Sequence, residues 1–349
     1  MKYINQLEPT ELIDIFLTHP PKHFCAWLSK DGVPAFSAKF DLLTTAAEDF
    51  KNKIQQLPFF KKWQHWLQPN TCFIGTTVSE YTLLNHHINV EQLADNLKAT
   101  YAKQYPFLIV KDLPLASPLL NEKDNQYSQQ LISSLKKRGF IEVEGQALAW
   151  VPINFTSIDD LFTRFSYSRR KNFRRKLKAR EKLAIDILHS GDDCFFDDTI
   201  LDKYYQLYLN VYQQSEVHFD LLTKPFFIQL LQNKAAQARI FTYHYKGELI
   251  GFNICFVVNN MLIDKYIGLV YPQARDLNLY YISWFINLEY ALQQGFSHYI
   301  AGWTDPEVKA SLGASFTLTK HLVYIRNPLL RIALRSMIGH FENDKEKVA

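Results

Sequence analysis

The side chains able to do chemistry in this sequence form none of the common nucleophile or metal patterns. No GxSxG, HExxH or GxxxxGK[ST] occurs. His86 and His87 are adjacent, but no carboxylate or cysteine stands at ligand spacing beside them, so no metal site is expected. The glycine fingerprint of a dinucleotide fold is also missing. Two segments remain. The first is Arg169–Lys182. A helix starting near Ser168 would place Arg169, Arg170 and Lys171 in its first turn, where each cation opposes the helix dipole by roughly a few tenths of a kcal/mol. A bound anion would reverse that sign, because free N–H groups and basic side chains would converge on it. Arg174, Arg175 and Lys178 extend this anion-binding set, and Phe173 and Leu177, four apart, anchor the helix. Phosphate of a cofactor, a phosphorylated lipid or RNA would satisfy such a site. A solvated basic face on an acidic protein is the alternative.

The second segment is 262–295. On a strand, Asp264, Tyr266 and Gly268 share one face, and Ile263, Lys265, Ile267 and Leu269 share the other. An aspartate inside an apolar strand needs a partner or a purpose. The loop YPQARDL then leads into a helix over 278–294, leaving N–H groups at the helix start for an anionic group.

These residues must be positioned by a large α/β framework. The chain has 349 residues, 47% hydrophobic and 21% charged, which is globular and long enough for two domains. No apolar run of about 18 residues is present, so no membrane span is expected. The N-terminus lacks a secretory layout, and the four scattered cysteines fit a reduced, cytoplasmic setting. Net charge is +4, but residues 164–182 hold ten Lys/Arg and one acid. The rest is mildly acidic, which argues against a diffuse nucleic-acid-binding surface, so no DNA partner is expected, and for one local anion site or a solvated helix.

Periodicity gives helices over 46–67, 90–105, 121–138, 197–214, 224–235, 278–294 and 328–340, with PEVKASLG a short one. Strands are expected at HFCAWLSK, AFSAKFDLL, TCFIGTTVSEYTLL, FLIVKDLPL, FIEVEGQALAWVPI, LAIDIL, ARIFTYHY, ELIGFNICFVV, MLIDKYIGLV, HYIAGW and ASFTLTKHLVYIRN. Ser157-Ile158-Asp159-Asp160 reads as a capping box. A boundary near residue 150 divides the chain into 1–150 and 151–349 without a linker. Two short echoes point to duplication. One aligns HFCAWLSKDGVPAFSAKF with RIFTYHYKGELIGFNICF, and the other aligns LKKRGF with ALQQGF, matching Gly139 to Gly295.

From residue 155 onward the order of elements resembles the GNAT superfamily of acyl-CoA N-acyltransferases, and within it the FemAB-like branch of peptidoglycan biosynthesis/recognition proteins. FSYSRRKNFRRKLKARE, LIDKYIGLV followed by NLYYISWFINLEYALQQGFSHYIAGW, and DPEVKASLGASF carry the resemblance. It implies a mixed-sheet α/β fold in two tandem GNAT-like units, with a degenerate unit first. It also implies transfer of an acyl or aminoacyl group from a CoA-type donor such as acetyl-CoA to an amine, on a small molecule or a cell-wall precursor. In such proteins the long strand splays from its neighbour, and the donor's arm lies along it. Here Ile267, Gly268, Leu269, Val270 and Tyr271 would be that stretch, with Gln273, Ala274, Arg275 and Asn278 at the pyrophosphate. Asp276 and Asn278 replace both glycines of the family's phosphate loop. That departure opens two alternatives: aminoacyl-tRNA as donor, or a catalytically silent module that binds an anionic lipid or glycan. Asp264 is the expected base and Asp305 the next choice, with Tyr266 or Tyr280 as proton donor. Where relatives often carry a Tyr-Lys pair, this sequence has Val308-Lys309.

Overall fold

A computed structural model describes residues 2–43, 48–215 and 218–337. Its framework is one eleven-stranded sheet: β1 Cys25–Leu28, β2 Pro34–Lys39, β3 Asn70–Ile74, β4 Phe107–Pro114, β5 Ile141–Pro152, β6 Leu183–His189, β7 Arg239–Tyr245, β8 Glu248–Val258, β9 Met261–Leu269, β10 His298–Gly302 and β11 Ser315–Ile325. The strand order is β1-β2-β3-β4-β11-β5-β10-β9-β8-β7-β6. Apart from β6, the two halves repeat one pattern. An antiparallel hairpin, β1-β2 or β7-β8, is followed by an antiparallel third strand, β3 or β9. A parallel partner, β4 or β10, completes each unit. This is the GNAT-like order, present twice.

The last strands are exchanged. β5 pairs with β10 of the other half, and β11 pairs with β4. β5 and β11 join antiparallel at the centre, so neither half closes its sheet without the other. Residue 150 lies within β5. Gly145 sits at this seam. A Cβ there would lie 2.2 Å from Thr319 Oγ1 and 2.9 Å from the Thr319 carbonyl carbon, so only glycine lets the strands approach this closely.

Alternate residues of β7 and β8 feed two cores on opposite faces, as strand periodicity requires. Ile240, Phe252, Ile254 and Phe256 pack with the helices Asp198–Gln214, Lys224–Gln232 and Thr10–Thr18. Phe241 and Cys255 pack with Ile158–Thr163, Tyr167–Leu177 and Leu279–Gln293, joined by Ile250, the extra residue of a bulge in β8. The expected capping box forms in part: Ser157 Oγ accepts from Asp160 N at 3.0 Å, while Asp160 Oδ2 accepts from Thr156 N at 2.9 Å.

Three expectations need correction. The helix over 46–67 is broken into Glu48–Gln55, Phe60–Trp63 and a 3-10 turn at Gln64–Leu67, because Pro58 cannot donate a helical hydrogen bond. The strand in TCFIGTTVSEYTLL stops at Ile74, where Gly75 takes φ +124°. The Gly139–Gly295 echo joins non-equivalent places, since Gly139 precedes β5 whereas Gly295 precedes β10, the counterpart of β4. The other echo joins the two equivalent hairpins. Residues 46–47 and 338–340 of the expected helices lie outside the described residues.

Candidate active site

β9 and β10 run in parallel for only three pairs, Met261–His298, Leu262–Tyr299 and Ile263–Ile300. β9 continues to Leu269 without β10, while β10 bulges after Ile300 and ends at Gly302, φ +75°. The strands therefore splay, and a cavity of about 80 Å³ opens between them. Asp264, Lys265, Trp284, Tyr299 and Lys309 are among its walls.

A second irregularity aims the side chains. Opposite β8, Ile254 pairs with Tyr266 but Cys255 pairs with Asp264, so Lys265 is an extra residue in β9. Such a bulge inverts the alternation beyond it. Asp264 and Tyr266 consequently point to opposite faces, not to the shared face expected from a regular strand. Asp264 faces the Leu279–Gln293 helix. Its Oδ2 accepts from Tyr299 OH at 2.8 Å and from Asn287 Nδ2 at 3.0 Å. Oδ1 receives only long contacts, 3.4 Å from Asn253 Nδ2 and 3.6 Å from Cys255 Sγ. Burial raises the Asp264 carboxyl above its ordinary range, against the pull of the Tyr299 and Asn253 hydrogen bonds. Tyr266 borders the cavity but packs its ring on Phe226 and Phe227, with ring centroids 5.9 and 5.8 Å away, and its hydroxyl is buried without a partner among the described residues.

The other expected residues divide. Tyr280 lines the cavity, and burial pushes its phenol strongly up. Asp305 is exposed and is not among the lining residues. It sits at the N-terminus of the Pro306–Ser311 helix with φ +51°, and its carbonyl accepts from Lys309 N at 3.1 Å. That turn carries Lys309 inward. Lys309 is 3% exposed, and its ammonium donates to Ala301 O at 2.6 Å, just beyond the last β9–β10 pair. Burial lowers its pKa to about 8, with Asp264, Glu80 and Asp305 opposing the drop. Sequence reading saw Lys309 only as half of an incomplete pair. Its burial depends on a helix whose register against β10 no local pattern encodes.

Trp284 also lines the cavity, and its Nε1 is buried without a partner among the described residues. On the other side, Lys265 reaches Glu80 at 2.6 Å and Glu8 at 3.5 Å, all three side chains being buried. One ammonium cannot neutralise two carboxylates, so burial, opposed by Lys265, lifts Glu8 to about 7. This cluster fixes the N-terminal segment and the 75–84 loop against the splayed strand.

The loop after β9 spends five successive N–H groups on its own turn. The N–H groups of Ala274, Arg275, Asp276, Leu277 and Asn278 donate to Val270, Pro272, Pro272, Gln273 and Arg275 carbonyls at 2.9–3.1 Å. Gln273–Asp276 is thus a closed helical turn. Within Ile267–Tyr271, Gly268 is required by packing, because a Cβ there would meet Phe252 Cε1 at 2.2 Å. Leu269 O accepts from Asn210 Nδ2 at 3.0 Å, and Val270 N donates to Ile250 O at 2.8 Å. Tyr271 lies under the Arg275 guanidinium, 4.9 Å from its ring centroid.

The basic helix spans Tyr167–Leu177, one residue earlier than expected, and Ser166 caps it by accepting from Arg169 N at 3.4 Å. Arg170 turns back to Phe165 O at 3.1 Å. The cations do not converge on the helix end. Lys171, Arg174, Arg175 and Lys178 instead form an exposed i, i+3, i+4, i+7 stripe. Among the six expected anion-binding residues only Arg174 has a carboxylate partner within the described residues, Asp159 at 2.9 Å. Lys176 lies 3.2 Å above the Tyr281 ring, beside Tyr280 of the cavity wall. Phe173 is buried as the spacing predicts.

In the first half the equivalent opening is filled. β3 ends at Ile74, and the chain then crosses the gap: Lys111 Nζ donates to Thr76 O at 2.8 Å and Thr82 N to Asp112 O at 3.1 Å. Among the described residues, the β9–β10 opening is the one left free.

A family model described as FemAB-like, peptidoglycan biosynthesis/recognition, matches residues 121–348. The chain belongs to the FemAB-like family. No curated protein matches it. Among solved structures, L-PGS from Bacillus licheniformis aligns with this FemAB-like chain at TM-score 0.55 and 11% identity, covering 97% of this chain and 98% of that one. FemX aligns at TM-score 0.50 and 12% identity, covering 93% and 97%. A Bacteroides thetaiotaomicron protein of unknown function aligns at TM-score 0.51 and 12% identity, covering 90% and 88%. At these identities the likeness is one of fold. Family membership makes the FemAB-like chain a transferase of the acyltransferase type.

Proposed function

We propose that this chain transfers an aminoacyl group from aminoacyl-tRNA to an amine of a peptidoglycan precursor. The observation that carries this reading over acyl-CoA is the closed turn at Gln273–Asp276, where the Ala274, Arg275 and Asp276 N–H groups are already used and Asp276 would repel a pyrophosphate. The exposed cation stripe, on a helix that packs against Leu279–Gln293, is the counterpart, a surface suited to a long polyanion. The family description and the fold shared with FemX support the same reading.

In this account the acceptor amine enters the β9–β10 opening and attacks the ester carbonyl of the donor. Lys309 and the Trp284 N–H stabilise the oxygen as negative charge develops on it. Asp264 Oδ1, the less occupied oxygen, receives a proton from the nitrogen. The carbonyl then re-forms, the ester C–O bond breaks, and the departing ribose oxygen takes the proton that Asp264 received from the nitrogen. An amide and a free tRNA result. The 1–150 half, its opening filled, acts as a scaffold that delivers Glu8 and Glu80 to Lys265.

Single-turnover transfer tests the donor. Aminoacyl-tRNA carrying a labelled amino acid is expected to lose label to a peptidoglycan-precursor amine, with acetyl-CoA inert under the same conditions. Turnover of acetyl-CoA with no use of aminoacyl-tRNA would refute the donor assignment.

A further inference from the structure

The two halves differ most at one hairpin. β8 turns directly into β9 through Asn259 and Asn260, whereas the equivalent strands β2 and β3 are separated by residues 40–69. This insertion leaves Leu57 and Phe59 exposed. A second segment with the same character follows β11: the Pro328–Met337 helix exposes Leu329, Leu330 and Ile332. These five side chains are 46–75% exposed, and they make up five of the nine large apolar side chains exposed among the described residues.

The two segments leave the sheet at the same end. Lys39 pairs with Asn70, Thr71 with Phe107, and Phe107 with Ile325, so β3 and β11 are two strand spacings apart, about 10 Å. Their charges match as well. The insertion carries four lysines, all after Phe50, and three carboxylates, Asp41, Glu48 and Asp49, all before it, so the stretch around Leu57 and Phe59 is basic; in 326–331 Arg326 and Arg331 are the charged residues, bonded to the Lys103 and Ile325 carbonyls. Lys53, Lys61, Lys62 and Arg326 are exposed around the apolar side chains. No helix among the described residues is long and apolar enough to cross a membrane.

We infer that this end of the molecule docks on the surface of an anionic lipid bilayer. Leu57, Phe59, Leu329, Leu330 and Ile332 enter the headgroup boundary, and the surrounding lysines and arginines pair with lipid phosphates. Exposed apolar side chains with Lys53, Lys61, Lys62 and Arg326 exposed close to them in the chain suit an anionic surface, where apolar insertion and charge attraction add.

The test uses the full chain and sedimentation with vesicles, one set of pure phosphatidylcholine and one with half phosphatidylglycerol. No donor or acceptor is present, so the outcome is separate from the transfer reaction. Wild type is expected to bind the anionic vesicles and to ignore the neutral ones. Lys53→Glu/Lys61→Glu/Lys62→Glu should weaken binding roughly a hundredfold at low salt. Leu57→Ser/Phe59→Ser/Leu329→Ser/Leu330→Ser/Ile332→Ser should weaken it roughly tenfold or more at high salt, where charge is screened. Both variants should melt within about 3 °C of wild type, since the altered side chains are exposed. Absence of binding to anionic vesicles at low salt would overturn the inference, as would serine variants that bind like wild type. So would a concentration-dependent dimer that the serine substitutions dissolve while vesicles are ignored.

Discussion

Lys309→Met is expected to lower the rate of transfer by about 10²- to 10³-fold while leaving donor affinity within about threefold, the signature of a group that acts on the developing oxyanion. The ammonium is fixed by its bond to Ala301 O, so it needs no reorganisation as the reaction proceeds. The fold should survive. A lysine whose pKa burial has lowered from 10.5 to about 8 carries a cost at neutral pH on the order of 3 kcal/mol, and methionine removes it. The sign follows from proton counting. Between pH 8 and 10.5 the unfolded chain holds the extra proton, so wild type gains stability as pH rises through that window and the variant does not. Activity has the opposite dependence, because wild type loses its cation above about pH 8 and its rate should fall there. Steady-state kinetics and urea unfolding at pH 7 and 9.5 read both effects. A variant with unchanged kcat would remove Lys309 from the chemistry.

Neutralising Lys171, Arg175 and Lys178 together to alanine should weaken binding of aminoacyl-tRNA about ten- to hundredfold at low salt. It should also reduce the slope of log affinity against log salt by about 2–3. All three are exposed and none has an ion-pair partner among the described residues; the bond lost is the exposed one from Arg175 to Asn172 Oδ1 at 3.1 Å, so the fold should hold. Arg174 is left in place because its bond to Asp159 ties the helix to Ile158–Thr163. Affinity measured at several salt concentrations separates the two outcomes. An unchanged slope would mean that RNA does not touch this stripe and that its charges are only solvated.

Most of the framework was legible because burial follows simple periods. The strands ARIFTYHY and ELIGFNICFVV, the Leu279–Gln293 helix with Gly295 behind it, and the basic helix with Phe173 inward all appear where pattern places them. The hairpin echo marked a true structural repeat. The site was less legible, for identifiable reasons. A period-two reading assumes an unbroken strand, and the extra residue Lys265 in β9 reverses the side on which Tyr266 emerges. Such a bulge depends on cross-strand register, which a single strand's sequence does not carry. Glu8 and Glu80 lie far from Lys265 in sequence, so only the exchange of β5 and β11 brings that buried trio together. The same exchange explains why no linker is visible near residue 150. The missing glycines of the loop at Gln273 are visible in the sequence, but only the structure shows the N–H groups of Ala274–Asn278 spent on a closed turn.

The most direct measurement is a crystal structure with a non-hydrolysable donor, an amide-linked aminoacyl-adenosine, at saturating concentration. The account predicts density for the aminoacyl group between β9 and β10, its carbonyl oxygen within hydrogen-bond distance of Lys309 Nζ, and its adenosine directed toward the Tyr167–Leu177 helix. Density lying elsewhere, with the β9–β10 opening empty, would contradict it.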